Sequence, residues 1–224
     1  MADLQIDNLK SVPTLQSIID DLSPMLSCGD LRVFNILRNR YDNDNLLSLL
    51  KDKQAEINPL GTLTREDWLD IIRIIEESNE LNPAKDKRIL PYILEFYKYF
   101  KQEESKIVFP QEHLSALYYQ YGMSCKNKFV RNWFSFNLNL NNILTALTCR
   151  KYNWDIKTAL VGENIVVDTI KMNPNAKDFN LKSEVEYIDK LINISETTNL
   201  LEKEKRIDLL KWEWLVDNSF YTNF

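Results

Sequence analysis

Between residues 111 and 152 the apolar positions Leu114, Leu117, Tyr118, Tyr121, Cys125, Phe129, Trp133, Phe136, Leu140, Ile143, Leu144 and Leu147 advance by threes and fours. This is the period of an amphipathic helix, kept up over many turns. The stretch holds no proline and one glycine, Gly122, so the spacing predicts one long helix over 111–152, or two stacked. Such a helix would be roughly 60 Å long at ~1.5 Å per residue. Pro110 marks its start, because proline in a first turn lacks only an N–H that would go unbonded anyway. An alternative break lies near 137–142, where asparagines cluster.

Shorter amphipathic stretches precede it at 15–26, 30–50, 64–78 and 87–102, separated by Pro, Gly or Asn. Thr64 opens the third with a capping hydroxyl, and Glu66 and Asp67 complement the positive end of the helix dipole. Further helical stretches follow at 155–160, 163–171, 183–194 and 200–216. Ile107-Val108-Phe109 has strand character but no evident partner. Four glycines in 224 residues are too few for the tight turns of an all-β chain, since ordinary usage is ~7%. The expected fold is all-α: an elongated multi-helix array with a long central helix, divided into domains 1–105 and 106–224.

One pattern recurs. Asn45-Leu46-Leu47-Ser48-Leu49-Leu50-Lys51-Asp52-Lys53 matches Asn142-Ile143-Leu144-Thr145-Ala146-Leu147-Thr148-Cys149-Arg150 as Asn, aliphatic, Leu, hydroxyl, any, Leu, any, any, base, 97 positions later. The two asparagines are placed to cap or cross-link neighbouring helices through their amides. Lys53 and Arg150 fall at helix ends, where a cation complements the carbonyl dipole.

Catalytic chemistry finds little support. The single histidine, His113, rules out every two-histidine metal site and sits in a first helical turn without a nucleophile signature around it. Gly29, Gly61, Gly122 and Gly162 are isolated, so no phosphate-cradling loop is present. The pairs Asp20-Asp21, Glu76-Glu77, Glu103-Glu104 and Glu184/Glu186 fall on polar helix faces and read as solvated. No catalytic, cofactor or metal residue is expected. Cys28, Cys125 and Cys149, odd in number and widely spaced, point to a reducing, intracellular compartment. With 28 Lys and Arg against 33 Asp and Glu the formal charge is −5, which gives no global reason to bind nucleic acid. The local cluster Lys126, Lys128 and Arg131 amid Phe129, Trp133 and Phe134 is the one exception. No run approaches the ~20 apolar residues of a spanning helix.

Two features suit a partner interface. Trp212 and Trp214 stand about 200° apart on a helix, so one is expected in the core and the other toward a neighbour. The aromatic-rich end Phe220-Tyr221-Thr222-Asn223-Phe224 lacks the usual polar fade, and the native chain is expected to continue beyond 224.

The segments Leu114-Ser115-Ala116-Leu117-Tyr118-Tyr119-Gln120-Tyr121, Cys125-Lys126-Asn127-Lys128-Phe129-Val130 and Trp133-Phe134-Ser135-Phe136-Asn137-Leu138-Asn139-Leu140, running on through Asn142 to Tyr152, resemble an uncharacterised bacterial family. Further similar stretches are Asp42-Asn43-Asp44-Asn45-Leu46-Leu47, Asn175-Ala176-Lys177-Asp178-Phe179 and Glu204-Lys205-Arg206-Ile207-Asp208-Leu209-Leu210-Lys211-Trp212. That family is in turn similar to the C-type (or d-type) subunit of V/A-type ATPases, through the Asn-aliphatic-Leu-hydroxyl helix ending in a base. In the C-type proteins such helices recur in three pseudo-equivalent domains that form a funnel docking the central stalk onto the membrane rotor ring. Here two copies are visible, and the third is absent or lies beyond Phe224. The resemblance implies a non-enzymatic coupling or adaptor subunit with central-stalk and rotor-ring partners. It would be cytoplasmic and peripheral to the inner membrane, with Trp212, Trp214, Lys126, Lys128 and Arg131 as the candidate interface. The alternatives are a helical hydrolase or ligand binder, or a nucleic-acid-associated protein.

Overall fold

A computed structural model describes residues 12–77, 83–103 and 109–219, and among these every regular element is a helix. The chain divides into a unit of residues 13–122 and a second unit of residues 123–224 together with 1–12.

The first unit begins with α1 (Leu15–Leu22), capped by the Thr14 hydroxyl, followed by a 3-10 turn at Ser23–Met25. Its long element is α2 (Cys28–Lys51), which starts where the Ser27 hydroxyl accepts from the Asp30 N–H. Then come α3 (Arg65–Glu76), a 3-10 turn at Pro83–Lys85, α4 (Pro91–Glu103) and α5 (Pro110–Met123). Trp68, Ile71, Ile72 and Ile75 of α3 follow i, i+3, i+4, i+7 and are all buried. They meet Leu46 and Leu49 of α2, Tyr92, Ile93, Phe96 and Tyr97 of α4, and Leu114 and Leu117 of α5. Each such side chain contributes about 1.5–3 kcal/mol by leaving water.

The second unit is built on α6 (Lys128–Tyr152), against which α7 (Ile156–Ala159), α8 (Ile165–Met172) and α9 (Ile188–Ser195) pack, with α10 (Leu200–Ser219) on α9. Leu140, Ile143, Ala146 and Leu147 of α6 meet Val166 and Ile170 of α8 and Ile188, Leu191 and Ile192 of α9. Helix α6 ends at Asn153, whose left-handed backbone (φ 56°) lets its N–H reach the last-turn carbonyls of Arg150 and Cys149.

The all-α class therefore stands, and most expected helices lie within a few residues of their predicted bounds. The continuous helix over 111–152 does not form. Helix α5 stops at Met123 and α6 starts at Lys128, with the Asn127 side chain accepting from the Val130 N–H at 3.1 Å. An asparagine in extended conformation offers a new helix an N-cap that a through-running helix has no use for. The apolar period crosses this break unaltered, since helices on both sides bury a face. The two compact units meet in sequence between Gly122 and Met123, within the stretch expected as one helix. The alternative break near 137–142 is unbroken helix, because its asparagines find partners there: Asn137 donates back to the Trp133 carbonyl at 2.8 Å. Ile107-Val108, Glu104 and Phe220 to Phe224 lie outside the described residues. Among those described, no helix is long and apolar enough to cross a membrane.

Candidate functional site

Each unit contains the same device on its long helix. In α2 the buried Asn45 turns its amide to one residue of the following loop. Its Nδ2 donates to the Asn58 carbonyl at 3.0 Å, and its Oδ1 accepts from the Asn58 N–H at 2.7 Å. In α6 the buried Asn142 does the same to Val161, at 2.8 and 2.9 Å. Three residues earlier on each helix a second polar side chain holds the start of the next helix. Asp42 accepts from the Thr62 N–H and hydroxyl and from the Leu63 N–H, just ahead of α3. Asn139 accepts from Asn164, the N-cap of α8. The expectation that the two asparagines cap or cross-link helices is thus replaced by a more specific geometry, in which each clasps a loop by both its backbone groups.

Glycine is required where the first loop passes closest. A Cβ on Gly61 would stand 2.7 Å from Asp42 Oδ1 and 2.9 Å from Asn45 Nδ2. Thr64 then begins α3 with a capping box, its hydroxyl accepting from the Asp67 N–H while the Asp67 carboxylate accepts from the Thr64 N–H.

The basic ends of the repeat are not equivalent. Arg150 reaches the carbonyls of Ala176 and Lys177 at 2.6 and 3.0 Å and lies 4.5 Å over the Phe179 ring. Lys53 instead lies exposed, beyond the Asp52 cap of α2. In that unit Arg65, from α3, supplies the cation, donating to the carbonyls of Lys53 and Ala55.

Trp214, itself half-buried, stacks on Phe136 at 4.9 Å and approaches Trp133 at 5.4 Å, packed against the second unit's core. Trp212 is half-buried, and with the exposed Leu209 and Val216 it forms an i, i+3, i+7 stripe along α10. Lys126, Lys128 and Arg131 are exposed, and Arg131 donates to the Cys125 carbonyl. The aromatic residues among them are not free to stack on bases: Phe134 is buried, and Phe129 and Trp133 pack against Trp214. His113 lies 4.1 Å from the Tyr99 ring and burial lowers its pKa, as suits a packed side chain. Asp20, Asp21, Glu76, Glu77, Glu184 and Glu186 are exposed, and no acidic or histidine cluster of metal-binding form occurs among the described residues.

The chemistry that pattern reading missed is the buried polar stripe of α2. The half-buried Asn35 and the buried Asn39, Asp42 and Asn43 continue, at i, i+4, i+7 and i+8, the same face that buries Leu46 and Leu49. Polar residues where the period calls for apolar ones were the available signal. Asn35, Asn39 and Asp42 border a cleft of about 370 Å³ walled by α2, the 62–63 loop, Trp68, residues 87–90 and α4. Tyr92 donates its hydroxyl to Asn43 at 2.7 Å. With its amide nitrogen turned toward Asp42, Asn39 donates to Asp42 Oδ2 at 3.2 Å and to the Asn35 carbonyl at 2.9 Å. At one edge Arg88 binds Asp67, Asp70 and Asp86 at 3.0, 2.7 and 2.7 Å. These bonds hold Asp70 and Asp86 below the ordinary carboxylate range, while Thr64 and then Arg88 do so for Asp67.

Burial outweighs the Thr62 and Leu63 hydrogen bonds at Asp42 and raises its pKa. The folded state therefore keeps a proton that the unfolded chain has lost, so this group's contribution to stability falls as pH rises from the unfolded value to the folded one. The Asp42→Asn variant, carrying the residue type that Asn139 supplies in the other unit, lacks this term. Its urea midpoint is expected to rise relative to the wild type as pH increases from about 4 to about 7. A difference that does not vary with pH would show that Asp42 ionises as it does in water.

A family model described as "Protein of unknown function (DUF2764)" matches residues 1–224. No curated protein and no solved structure matches the chain.

Proposed function

We propose, for a chain that belongs along its whole length to the DUF2764 family, a mechanical and non-enzymatic role: a coupling or adaptor subunit of a V/A-type rotary ATPase, linking the central stalk to the membrane rotor ring. The observation that supports this reading is the loop clasp made by Asn45 and by Asn142. It sits on the helices whose sequence resembles the repeated helix of the C-type ATPase proteins. A part that carries torque needs stiff elements with no soft joints between them. Tying each loop to a long helix by both its N–H and its C=O supplies that locally. The helices are 24 and 25 residues long, enough to act as levers. No group in this role transfers a proton, holds a cofactor or binds a metal.

On this reading the partner face is the α10 stripe of Leu209, Trp212 and Val216, and the exposed cations Lys126, Lys128 and Arg131 are a second candidate contact. The protein would work at the cytoplasmic side of the inner membrane, held there by the complex. Native mass spectrometry after mixing with the central-stalk and rotor-ring proteins of the same genome is expected to give a stoichiometric complex. Leu209→Asp with Val216→Asp should remove the complex and leave helicity unchanged. No association at low or moderate salt would end the coupling reading.

A further inference from the structure

The repeat gives each position of one long helix a counterpart on the other, 97 residues away, and so shows which polar residues the shared device needs. Asp42 corresponds to Asn139 and Asn45 to Asn142, polar in both and bonded to the following loop in both. Asn39 corresponds to Phe136, and Asn43 to Leu140. Both apolar counterparts are buried in the second unit's core. The clasp accordingly does not call for Asn39 or Asn43, yet both are buried, at 4% and 7% exposure, where an amide costs more than a hydrocarbon unless it serves some end.

The surroundings of these positions differ in the same sense. In the second unit the helix face at Phe136 is plugged by a flat ring, the Trp214 indole stacked at 4.9 Å with an interplanar angle of 17°. In the first unit the face at Asn39 opens on the 370 Å³ cleft. That volume is in the range of small-molecule sites. Aromatic walls are in place, with Tyr92 and Tyr121 5.1 Å apart. The Trp68 indole is part of the wall, and its buried Nε1–H meets no acceptor among the described residues, a rarity among buried donors. At the mouth stand Arg32 and Lys87, both exposed and lining the cleft. Among the described residues neither pairs with a carboxylate, whereas the neighbouring Arg88 is saturated by three.

We infer that the cleft of the 13–122 unit is a binding site for a small organic anion with a planar ring. The ring takes the place against α2 that an indole fills in the other unit. The anionic group lies toward Arg32 and Lys87, and acceptor atoms on the ring face the donors of the wall. This inference is independent of the coupling role, since it rests on a different face and on different residues.

The probe is 8-anilinonaphthalene-1-sulfonate, which combines planar rings with one fixed negative charge, set against N-phenyl-1-naphthylamine, the same rings without the charge. The five tryptophans each give one indole N–H resonance in a 15N-edited spectrum, and Trp68→Phe identifies the relevant one. The sulfonate is expected to bind one to one and to move the Trp68 resonance. Its affinity should fall about tenfold or more in the Arg32→Glu, Lys87→Glu double variant, which alters only exposed side chains. The neutral amine should bind more weakly to the wild type and not distinguish it from the double variant. Asn39→Phe, which imports the ring found at the counterpart position, should abolish binding of both. If that variant fails to fold, the surface double variant still decides. The inference is overturned if the Trp68 resonance stays in place while other indoles move, or if reversing both charges leaves the sulfonate's affinity unchanged.

Discussion

Replacing Asn142 by leucine is expected to lower the stability of the 123–224 unit by about 3 kcal/mol. The asparagine is 2% exposed and satisfies both backbone groups of Val161 at 2.8 and 2.9 Å. Leucine preserves the volume but takes away an acceptor and a donor together. The Val161 N–H and C=O must then find water in a half-buried loop, and each lost bond contributes about 0.5–1.5 kcal/mol with a further desolvation penalty. Four of the five tryptophans, Trp133, Trp154, Trp212 and Trp214, lie in this unit, so urea unfolding followed by tryptophan emission reports on it. Faster amide exchange at Val161 should accompany the loss. Asn142→Asp is informative too, because it retains the acceptor for the Val161 N–H, removes the donor and buries a charge. It is expected to be destabilised at neutral pH and partly rescued in acid. A leucine variant within about 0.5 kcal/mol of the wild type would mean that the clasp is geometry without energetic consequence.

The second large effect separates two residues that the repeat pairs with each other. Arg150→Met should cost about 2–3 kcal/mol, since it removes two charge-assisted bonds to carbonyls and the contact with the Phe179 face. Phe179 is fully buried with a left-handed backbone, φ 54°, a conformation that costs a bulky residue about 1–2 kcal/mol and that its neighbours must hold in place. Lys53→Met, at the matching repeat position, should change the urea midpoint very little, because Lys53 is exposed and its own carbonyl is served by Arg65. Equal effects of the two substitutions would show that the basic end acts through the helix dipole common to both. Unequal effects, with arginine dominant, place the contribution in the carbonyl contacts.

Much of the architecture was legible in the chain because helix formation is local. The Thr64 cap, the Pro110 start and the i, i+3, i+4 spacing of Trp68, Ile71, Ile72 and Ile75 are each decided within a turn or two of sequence. The break at 124–127 was not legible from periodicity. An apolar stripe records which face is buried, and it runs on through a joint when the helices on both sides bury theirs; the signal lay in the capping competence of Asn127. The asparagines of α6 misled in the other direction. Taken alone, 137–142 looks like a breaker, but Asn139 and Asn142 have partners 25 and 19 residues away that remove their tendency to turn the local backbone.

The candidate sites divide along the same line. The repeat of Asn45 and Asn142 was visible as letters, and so was the family resemblance, but what the two amides hold was not. The cleft beside Asn39 went unread, although Asn35, Asn39, Asp42 and Asn43 stand at core spacing, because one sequence does not tell a buried polar stripe from an exposed one. By itself the sequence determined the helical class, most helix starts, the recurrence of the asparagine helix and the absence of paired metal or phosphate motifs. These follow from composition and from interactions spanning a few residues. Tertiary structure alone decided where the units divide, that each asparagine grips a loop rather than a helix, and that Arg150 is anchored while Lys53 is not. It also decided that Trp214 stacks on Phe136 in one unit while a cleft lies beside Asn39 in the other. Each of those outcomes depends on which distant backbone group or ring arrives within hydrogen-bonding or van der Waals distance, and that is a property of the packed chain rather than of any short stretch of it.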